Sequence, residues 1–383
     1  MHHRVAIVGV GYTPLRPVSP EVSFREMIFE AAMQAYQDAG LEPKDIDTFV
    51  SIAEDYLEGT AIFDEYVPDQ LGAVLKPVHT ITADGITGLA SAYLQLKTGK
   101  FRTAVLEGHS KASNILHPSH IEAFALDPNY VRPLRVNPKF VAGLDMHAFL
   151  METGVPEELA ALVVSKNRAN ALRNSRAAYP AQLEPEAVLD SPYLAYPLKE
   201  LEAAQYADGA VVLVLATEDV ALALDADPVF IEGIGWIEDT PNLDQWAWGR
   251  ALYAELAAQM AYEMAGIRSP FQEIDVAEID DTFAYKELQH LIALGIAREE
   301  DLWDLYQEGV FDLDGELPVN PSGGNLGSGY TYDMSGLRAV AEVVLQLRGL
   351  AGEHQVPEAE IGLAQSWRGV PTAMGGVAIL SNL

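Results

Sequence analysis

Two tyrosines in a glycine-rich segment near the end of the chain are the first candidates for chemistry. Tyr330 and Tyr332 lie in NPSGGNLGSGYTYDMSG, residues 320–336. The accompanying glycines are Gly323, Gly324, Gly327 and Gly329. Glycine permits positive φ angles and a close approach of backbone to a ligand. A phenol exchanges protons near neutral pH only if its pKa falls from about 10. The segment predicts a site where Gly323 and Gly324 bring the backbone close to a ligand, with Tyr330 and Tyr332 beside it.

Two further side chains follow apolar runs, at places where binding sites form. His109 comes directly after the strand-like run TAVLEG at 103–108, at a predicted sheet end, so we expect it to contact substrate. Asp84 precedes Gly85 in the segment TADGITG. Asp84 has two interpretations at this point, as the cap of a helix that begins near Gly85 or as a carboxylate of the site.

The chain contains no cysteine, which excludes disulfides, thiolate metal ligands and a cysteine nucleophile. His117 and His120 have a spacing that could hold a metal on a helix, but Pro118 argues against a helix there and no carboxylate follows at a matching position. We therefore predict no metal site.

The composition describes an acidic, ordered globular protein. The chain has 383 residues with 24 Lys and Arg against 56 Asp and Glu, a formal net charge of −32. Such a charge repels phosphate backbones and anionic lipid headgroups, so we expect neither nucleic-acid nor membrane binding. The N-terminal sequence does not resemble a secretory signal, and no apolar run is long enough to span a bilayer. The expected location is the cytoplasm.

One order of elements occurs twice along the chain. A strand at 4–10, ended by Gly11, and a helix at 23–38 lead to Ala39-Gly40-Leu41, where Gly40 can form a left-handed cap. A strand at 228–236 and a helix at 250–264 lead to Ala265-Gly266-Ile267. Ser23 and Glu26 add the signature of a capping box to the first of these helices.

The repetition continues through each half and predicts the fold. Helices opening at Gly88-Leu89 and Gly336-Leu337 are each followed by an apolar strand, and each half closes with a glycine-led strand, 208–216 and 375–381. Such alternation predicts a layered α/β fold with mixed, mostly parallel sheets. We assign 1–108 with 201–222 to the first half, 109–200 to a loop or lid insertion, and 223–383 to the second half.

Several of these segments resemble the thiolase superfamily, in its sterol-carrier-type branch, and the resemblance covers nearly the whole chain. The matching segments are VVSKNRANALRN at 163–174, YADGA at 206–210, IDDTF at 279–283 and the glycine-rich block at 320–336. The resemblance implies a thiolase-like fold, a homodimer and a CoA thioester as substrate, without a permanently bound cofactor.

The residues that the family uses for acyl transfer are replaced in this chain. Gly85 occupies the position of the nucleophilic cysteine, and Tyr330 the position of a histidine. Asp280 stands where the family has an asparagine or histidine, and it would have to be protonated near an oxyanion or act as a base. The segment around Ser366 holds neither the second cysteine nor a histidine-asparagine pair. Covalent thiolase catalysis is therefore excluded.

Members of this branch without cysteines cleave β-hydroxyacyl-CoA thioesters by retro-aldol chemistry, and the resemblance extends to them. That reaction needs a base for the hydroxyl proton and donors for the enolate. Tyr330, Tyr285 and Asp280 are the implied groups, although Tyr285 could instead be a core aromatic at a helix start. Such lyases work with a small partner that has an OB-fold and a zinc-ribbon element, of the DUF35 type. A non-catalytic accessory subunit, and an acyltransferase or condensing enzyme that uses a partner's thiol, remain open.

Overall fold

Local signals define the first helix of each half. Ser23 accepts a hydrogen bond from the backbone N–H of Glu26, whose carboxylate accepts one from the N–H of Ser23. Gly40 ends this helix in the left-handed conformation, at φ 64°. Gly266 ends the corresponding helix of the second half in the same way, at φ 80°. Both predicted caps and the capping box are confirmed.

The computed structural model describes residues 4–55, 62–240, 242–369 and 374–383. Its strands are β1 (Val5–Tyr12), β2 (Thr48–Ile52), β3 (Val78–Ile81), β4 (Thr103–Lys111), β5 (Tyr193–Ala195), β6 (Leu198–Lys199), β7 (Asp208–Thr217), β8 (Val229–Glu238), β9 (Val276–Glu278), β10 (Ile361–Arg368) and β11 (Met374–Ser381). Its α-helices are α1 (Phe24–Ala39), α2 (Phe63–Tyr66), α3 (Pro68–Leu71), α4 (Gly85–Lys97), α5 (Pro118–Glu122), α6 (Pro138–Thr153), α7 (Glu158–Ala171), α8 (Pro185–Leu189), α9 (Glu218–Ala221), α10 (Leu252–Ala265), α11 (Pro270–Glu273), α12 (Ala284–Ala293), α13 (Leu302–Gln307), α14 (Gly324–Ser328) and α15 (Ser335–Leu347).

All of these strands except β5 and β6 belong to one sheet, in the order β3-β2-β4-β7-β1-β8-β11-β10-β9. β2 is parallel to β3 and to β4, and β10 is parallel to β9, whereas the other neighbours are antiparallel. Within each half, only the last strand, β7 or β11, runs against the others. The predicted mixed α/β fold is confirmed, and the halves join where Ala6 of β1 pairs with Phe230 of β8.

The helices lie in three layers around the two halves of the sheet. α4 and α15 share a central apolar cluster with strands of both halves. α1 covers the outer face of the first half, and α10 and α12 cover the outer face of the second. We predicted that the first strand ends at Gly11, but β1 continues to Tyr12. Gly11 does not end the strand but allows α1 to pack closely against it, because a Cβ at this position would lie 1.7 Å from the carbonyl oxygen of Ala31.

The segment 109–200 contributes α5 to α8 and the hairpin of β5 and β6. Its helices α6 and α7 pack in the same apolar cluster as α10 and α12 of the second half. Pro118 begins α5 and does not prevent it, contrary to our expectation, because a proline in the first helical turn gives up no hydrogen bond. The domain boundaries given above stay a prediction. No helix in the described ranges is long and apolar enough to cross a membrane.

Candidate active site

Asp84 and Gly85 begin α4 deep inside the protein. The Asp84 carboxylate caps the helix by accepting the N–H of Ile86 at 3.2 Å, and it also accepts the hydroxyl of Ser366 at 2.5 Å. A Cβ on Gly85 would lie 2.1 Å from the backbone nitrogen of Leu337 at the start of α15. The helix terminus at which the resemblance places the family's nucleophile therefore has no space for a side chain at position 85, and Gly85 opens no pocket.

Asp280 follows β9 and is held by hydrogen bonds on every side. Its carboxylate accepts the N–H of Thr282 at 3.0 Å, the hydroxyl of Thr282 at 3.1 Å and the amide of Asn325 at 2.8 Å. Its own N–H donates to the side-chain oxygen of Gln365 at 2.9 Å. Gln365 and Ser366 are consecutive on β10, so this strand binds Asp280 through one residue and Asp84 through the next.

Both carboxyl groups are buried, and burial changes the pH at which they ionise. Loss of solvent raises the pKa of Asp84 to about 6 against the hydrogen bonds from Ser366 and Ile86, and the charge of Asp280 raises it further. Loss of solvent also raises the pKa of Asp280 to about 6, opposed by the hydrogen bonds from Thr282. A carboxylate with such a pKa is ionised at neutral pH but accepts a proton more readily than one in water.

Three tyrosines, Tyr206, Tyr330 and Tyr332, pack ring against ring, and we call them the tyrosine cluster. The ring centroids of Tyr206 are 5.7 Å from Tyr330 and 5.0 Å from Tyr332, and the last two are 5.4 Å apart. The N–H of Tyr330 donates to the carbonyl of Gln205, and its carbonyl accepts the N–H of Ala207. Tyr332 has a positive φ of 51°, which turns the chain between Tyr330 and α15.

The environment of Tyr330 keeps its hydroxyl protonated. Burial raises the pKa of Tyr330 well above 10, and the negative charges of Glu122 and Asp280 add to this. The lowered pKa that a tyrosine base requires is therefore not found, and Tyr330 is a hydrogen-bond donor at neutral pH. A Cβ on Gly336, four residues after Tyr332, would lie 2.3 Å from a carboxylate oxygen of Asp84 and 2.8 Å from the Cβ of Ser366. The structure thus brings Asp84, Ser366, Asp280 and the tyrosine cluster into one region.

The two glycines predicted to contact substrate pack against protein. Gly323 has φ 102°, and a Cβ there would lie 2.6 Å from the Cβ of Ala171 in the insertion. Gly324 has φ 58°, and a Cβ there would lie 2.4 Å from a carboxylate oxygen of Asp281. Positive φ and close approach are confirmed at both positions, but the close neighbours are protein atoms. Their contact with substrate stays a prediction.

Tyr285 belongs to a second polar cluster and not to the tyrosine cluster. It lies in the first turn of α12 with no exposed surface, and its hydroxyl donates to Asp145 of the insertion at 3.0 Å. Lys286 donates to the same carboxylate at 2.8 Å. His290 Nδ1 lies 2.9 Å from the carbonyl oxygen of Asp280, which joins this second cluster to the site. Burial and the Asp145 charge raise the pKa of Tyr285 well above 10.

His109 is separated from the other predicted residues by the sheet. β4 extends three residues further than predicted, so His109 lies within the strand and not beyond its end. Its ring stacks on Phe24 at 5.4 Å and meets Phe63 edge-on, under the outer helices α1 and α2. The neighbouring Gly108 faces α15 on the opposite side of β4. Substrate contact by His109 is not supported by this position.

Two residues that the sequence analysis did not single out for chemistry join the tyrosine cluster. Tyr206 is one of its three rings, and the Tyr206 hydroxyl donates to the carboxylate of Glu122. Tyr206 lies in the YADGA segment that carries part of the family resemblance. That segment indicated the place of Tyr206 in the family pattern but gave it no chemical role. Glu122 lies 84 positions earlier in the insertion. No local pattern connects the two.

The arrangement suits proton transfer and the stabilisation of an oxyanion. Two carboxylates with raised pKa values can accept a proton, and neutral tyrosine hydroxyls can donate hydrogen bonds to an oxygen that gains charge. The Ser366 hydroxyl donates its hydrogen bond to Asp84. No group of three or more His, Asp or Glu side chains that could hold a metal occurs among the described residues.

Comparisons with known proteins agree on one family. A family model described as "Thiolase C-terminal domain-like" matches residues 238–382. An acetyl-CoA acetyltransferase of Methanothermobacter thermautotrophicus is 30% identical over 382 residues, which cover 98% of this chain and 97% of that protein. A 17-hydroxy-3-oxo-4-pregnene-20-carboxyl-CoA lyase of Mycobacterium tuberculosis is 26% identical over 97% of this chain and 98% of its own. The solved structure titled "Ltp2-ChsH2(DUF35) aldolase" superposes with a TM-score of 0.85 and 23% identity, over 99% of this chain and 97% of that one.

Proposed function

Because the chain belongs to the thiolase superfamily, in its sterol-carrier-type branch, and has no cysteine, we propose that it is a lyase acting on an acyl-CoA thioester. The reaction is cleavage of the bond between the α and β carbons of a β-hydroxyacyl-CoA, or the reverse aldol addition. No acyl-enzyme is formed. A relative named as an acyl-CoA lyase and a structural neighbour titled as an aldolase support this class of reaction.

The packing at Gly85 is the observation that carries the proposal. A thiolase needs a nucleophile at this helix terminus, whereas here the backbone of α15 fills the space that its side chain would take. The carboxylates of Asp84 and Asp280 lie close by, with raised pKa values. A site with bases and hydroxyl donors but no nucleophile suits a reaction that moves one proton and transfers no acyl group.

The roles of the side chains follow from their protonation. In the cleavage direction, Asp280 or Asp84 takes the proton of the β-hydroxyl as the carbon–carbon bond breaks and a ketone or aldehyde forms. The electrons of that bond pass to the thioester, whose enolate oxygen accepts a hydrogen bond from Tyr330. The carboxylic acid then returns the proton to the α carbon, so the reaction has no net change in protons. Tyr285 stays a second candidate donor, provided that its hydroxyl leaves Asp145.

The proposal includes the assembly in which the enzyme works. The structural neighbour contains a DUF35 component, and we propose a small partner of that type for this chain. We also propose a homodimer formed at β3, which is one of the two edge strands of the sheet in the described part of the chain. Co-purification of the chain from its source, followed by mass spectrometry and light scattering, tests both, and a lone monomer would contradict both.

The test is an assay of the chain with its partner on a panel of β-hydroxyacyl-CoA thioesters, following release of ketone or aldehyde. Tyr330→Phe should lower kcat about 100-fold or more, as the loss of one oxyanion donor does elsewhere. Tyr193→Phe, at an exposed tyrosine of the insertion, is the matched control and should leave kcat unchanged. In the wild type, kcat/KM should rise with pH through about pH 6, where the carboxyl groups of the site ionise.

Two results would contradict the proposal. Full activity of Tyr330→Phe would remove the assigned donor. Turnover by acyl transfer, with a covalent acyl-protein adduct detected by mass spectrometry, would favour the acetyltransferase chemistry in the names of the archaeal relatives.

A further inference from the structure

Glu122 connects the insertion to the tyrosine cluster. It is the last residue of α5, it is partly buried, and its carboxylate accepts the hydroxyl of Tyr206. Tyr206 in turn packs against both Tyr330 and Tyr332. The neighbouring Ile121 and Ala112 close the cluster as an apolar group. The hydrogen bond to Tyr206 is therefore a polar contact of Glu122 with an otherwise apolar group.

The backbone of Tyr206 is already fixed without Glu122. It is bridged to Tyr330 as a parallel pair, through bonds of 2.8 and 2.9 Å at its two neighbours, Gln205 and Ala207. The hydroxyl of Tyr179 donates to the carbonyl oxygen of Tyr206 at 2.5 Å. The side chain of Tyr206 retains its rotation about χ1 and χ2, and the bond to Glu122 selects one orientation of the ring.

The orientation of this ring determines the position of the other two. The rings of Tyr330 and Tyr332 lie at interplanar angles of 50° and 34° to Tyr206 and at contact distance, so a rotation of the Tyr206 ring changes its packing against both. We propose that Glu122 is a positioning residue of the site, which orients Tyr206 and through it the hydroxyl of Tyr330. The inference rests on the proposed function, since it assumes that Tyr330 meets the reacting oxygen.

The hydrogen bond has a second consequence for the site. With Glu122 as acceptor, the Tyr206 hydroxyl is directed to the insertion and away from the reacting oxygen to which we assign Tyr330. The insertion thereby takes part in the reaction through one residue. A shift of α5 relative to the core, such as substrate or a partner could produce, would reorient Tyr206 and with it the ring of Tyr330.

The test compares Glu122→Ala, Glu122→Gln and Tyr206→Phe in the assay for lyase activity. Glu122→Ala should lower kcat about tenfold, which corresponds to ~1.4 kcal/mol, with KM changed less than twofold. Tyr206→Phe should do the same, and the double variant should be no worse than either single one, because both remove one bond. Glu122→Gln keeps an acceptor oxygen and should recover most of the loss. Glu152→Ala, at an exposed glutamate of α6, is the matched control and should behave as wild type.

A second measurement separates this inference from the proposed function. Tyrosine labelled with carbon-13 at Cζ is followed by NMR without substrate, and signals are assigned with the Phe variants. Glu122→Ala should shift the signals of Tyr330 and Tyr332 as well as that of Tyr206. If only the Tyr206 signal moves, or if kcat losses at Glu122 and Tyr206 simply add, the positioning role is wrong. If the signals shift as expected in a chain with no lyase activity, the geometry stands and the proposed function fails.

Discussion

Replacing Gly85 with alanine is expected to destabilise the protein, although alanine is the better helix former. A Cβ at this position would lie 2.1 Å from the nitrogen and 3.0 Å from the Cα of Leu337, and 2.8 Å from the carbonyl carbon of Gly336. All three atoms belong to the backbone at the start of α15, which is buried throughout. No side-chain rotation can therefore remove the overlap.

The magnitude follows from two opposing effects. Non-bonded atoms reach their best separation at about 3.5 Å, so the ends of α4 and α15 would have to part by more than ~1 Å. Overpacking of this kind costs about 1–3 kcal/mol, while the gain in helix propensity is at most ~1 kcal/mol. We expect the free energy of unfolding to fall by about 1–2 kcal/mol. The Gly85→Cys variant should lose at least as much unfolding free energy, and its cysteine should form no acyl adduct.

The assay is urea unfolding of Gly85→Ala followed by circular dichroism, with Gly88→Ala as the matched control. Gly88 lies one turn later in α4, where a Cβ would meet only side-chain atoms, those of Ile52 at 2.5 Å and of Leu106 at 3.3 Å. Because both close atoms, Cγ1 and Cδ1 of the buried Ile52, belong to a side chain and not to the backbone, the control should lose less unfolding free energy than Gly85→Ala. If Gly85→Ala were as stable as wild type, α4 and α15 could not be in this contact, and the argument against a nucleophile would fail.

Two further predictions concern buried charges. Burial raises the pKa of Asp281 to about 8 from 3.8, so between these pH values the folded chain binds a proton that the unfolded chain has lost. The free energy of unfolding should therefore fall as pH rises from about 4 to 8. Asp281→Asn should reduce this pH dependence in urea unfolding. An equal slope in both proteins would contradict the assignment. Lys286→Met leaves Asp145 buried without its cation and should cost about 3–5 kcal/mol. Arg298→Met, at an exposed ion pair, should cost less than ~1 kcal/mol, and similar losses for the two would refute the reasoning.

Sequence reasoning succeeded where a feature depends on neighbours along the chain. The caps at Ser23, Gly40 and Gly266 need only the residues within one helical turn, and the structure has all three. The repeated order of strands and helices predicted the mixed α/β fold for the same reason. The helix cap of Asp84 was one of two alternatives, and the structure shows that the same carboxylate also binds Ser366. These two roles are compatible because one carboxylate oxygen, Oδ2, can accept both hydrogen bonds through its two lone pairs.

The positions of His109 and Tyr285 depended on contacts that no local pattern contains. Because β4 is three residues longer than predicted, His109 lies within the strand and not at its end. Its side chain lies on the outer face of the sheet, since side chains alternate along a strand. The Tyr285 hydroxyl donates to Asp145, which lies 140 positions earlier, so Tyr285 belongs to the second polar cluster and not to the tyrosine cluster. The raised pKa of Tyr330 likewise arises from burial and from the charges of Glu122 and Asp280, which come from other parts of the chain.

The sequence by itself determined that this protein has no cysteine and that its two halves repeat one α/β pattern. Composition and periodicity suffice for such statements because they are properties of the chain in any conformation. Only the tertiary structure decided that Gly85 has no room for a side chain, that Asp84 and Asp280 are buried together, and that Glu122 reaches Tyr206. Each of these depends on burial and on distances between remote segments, which arise only when the two halves and the insertion pack together.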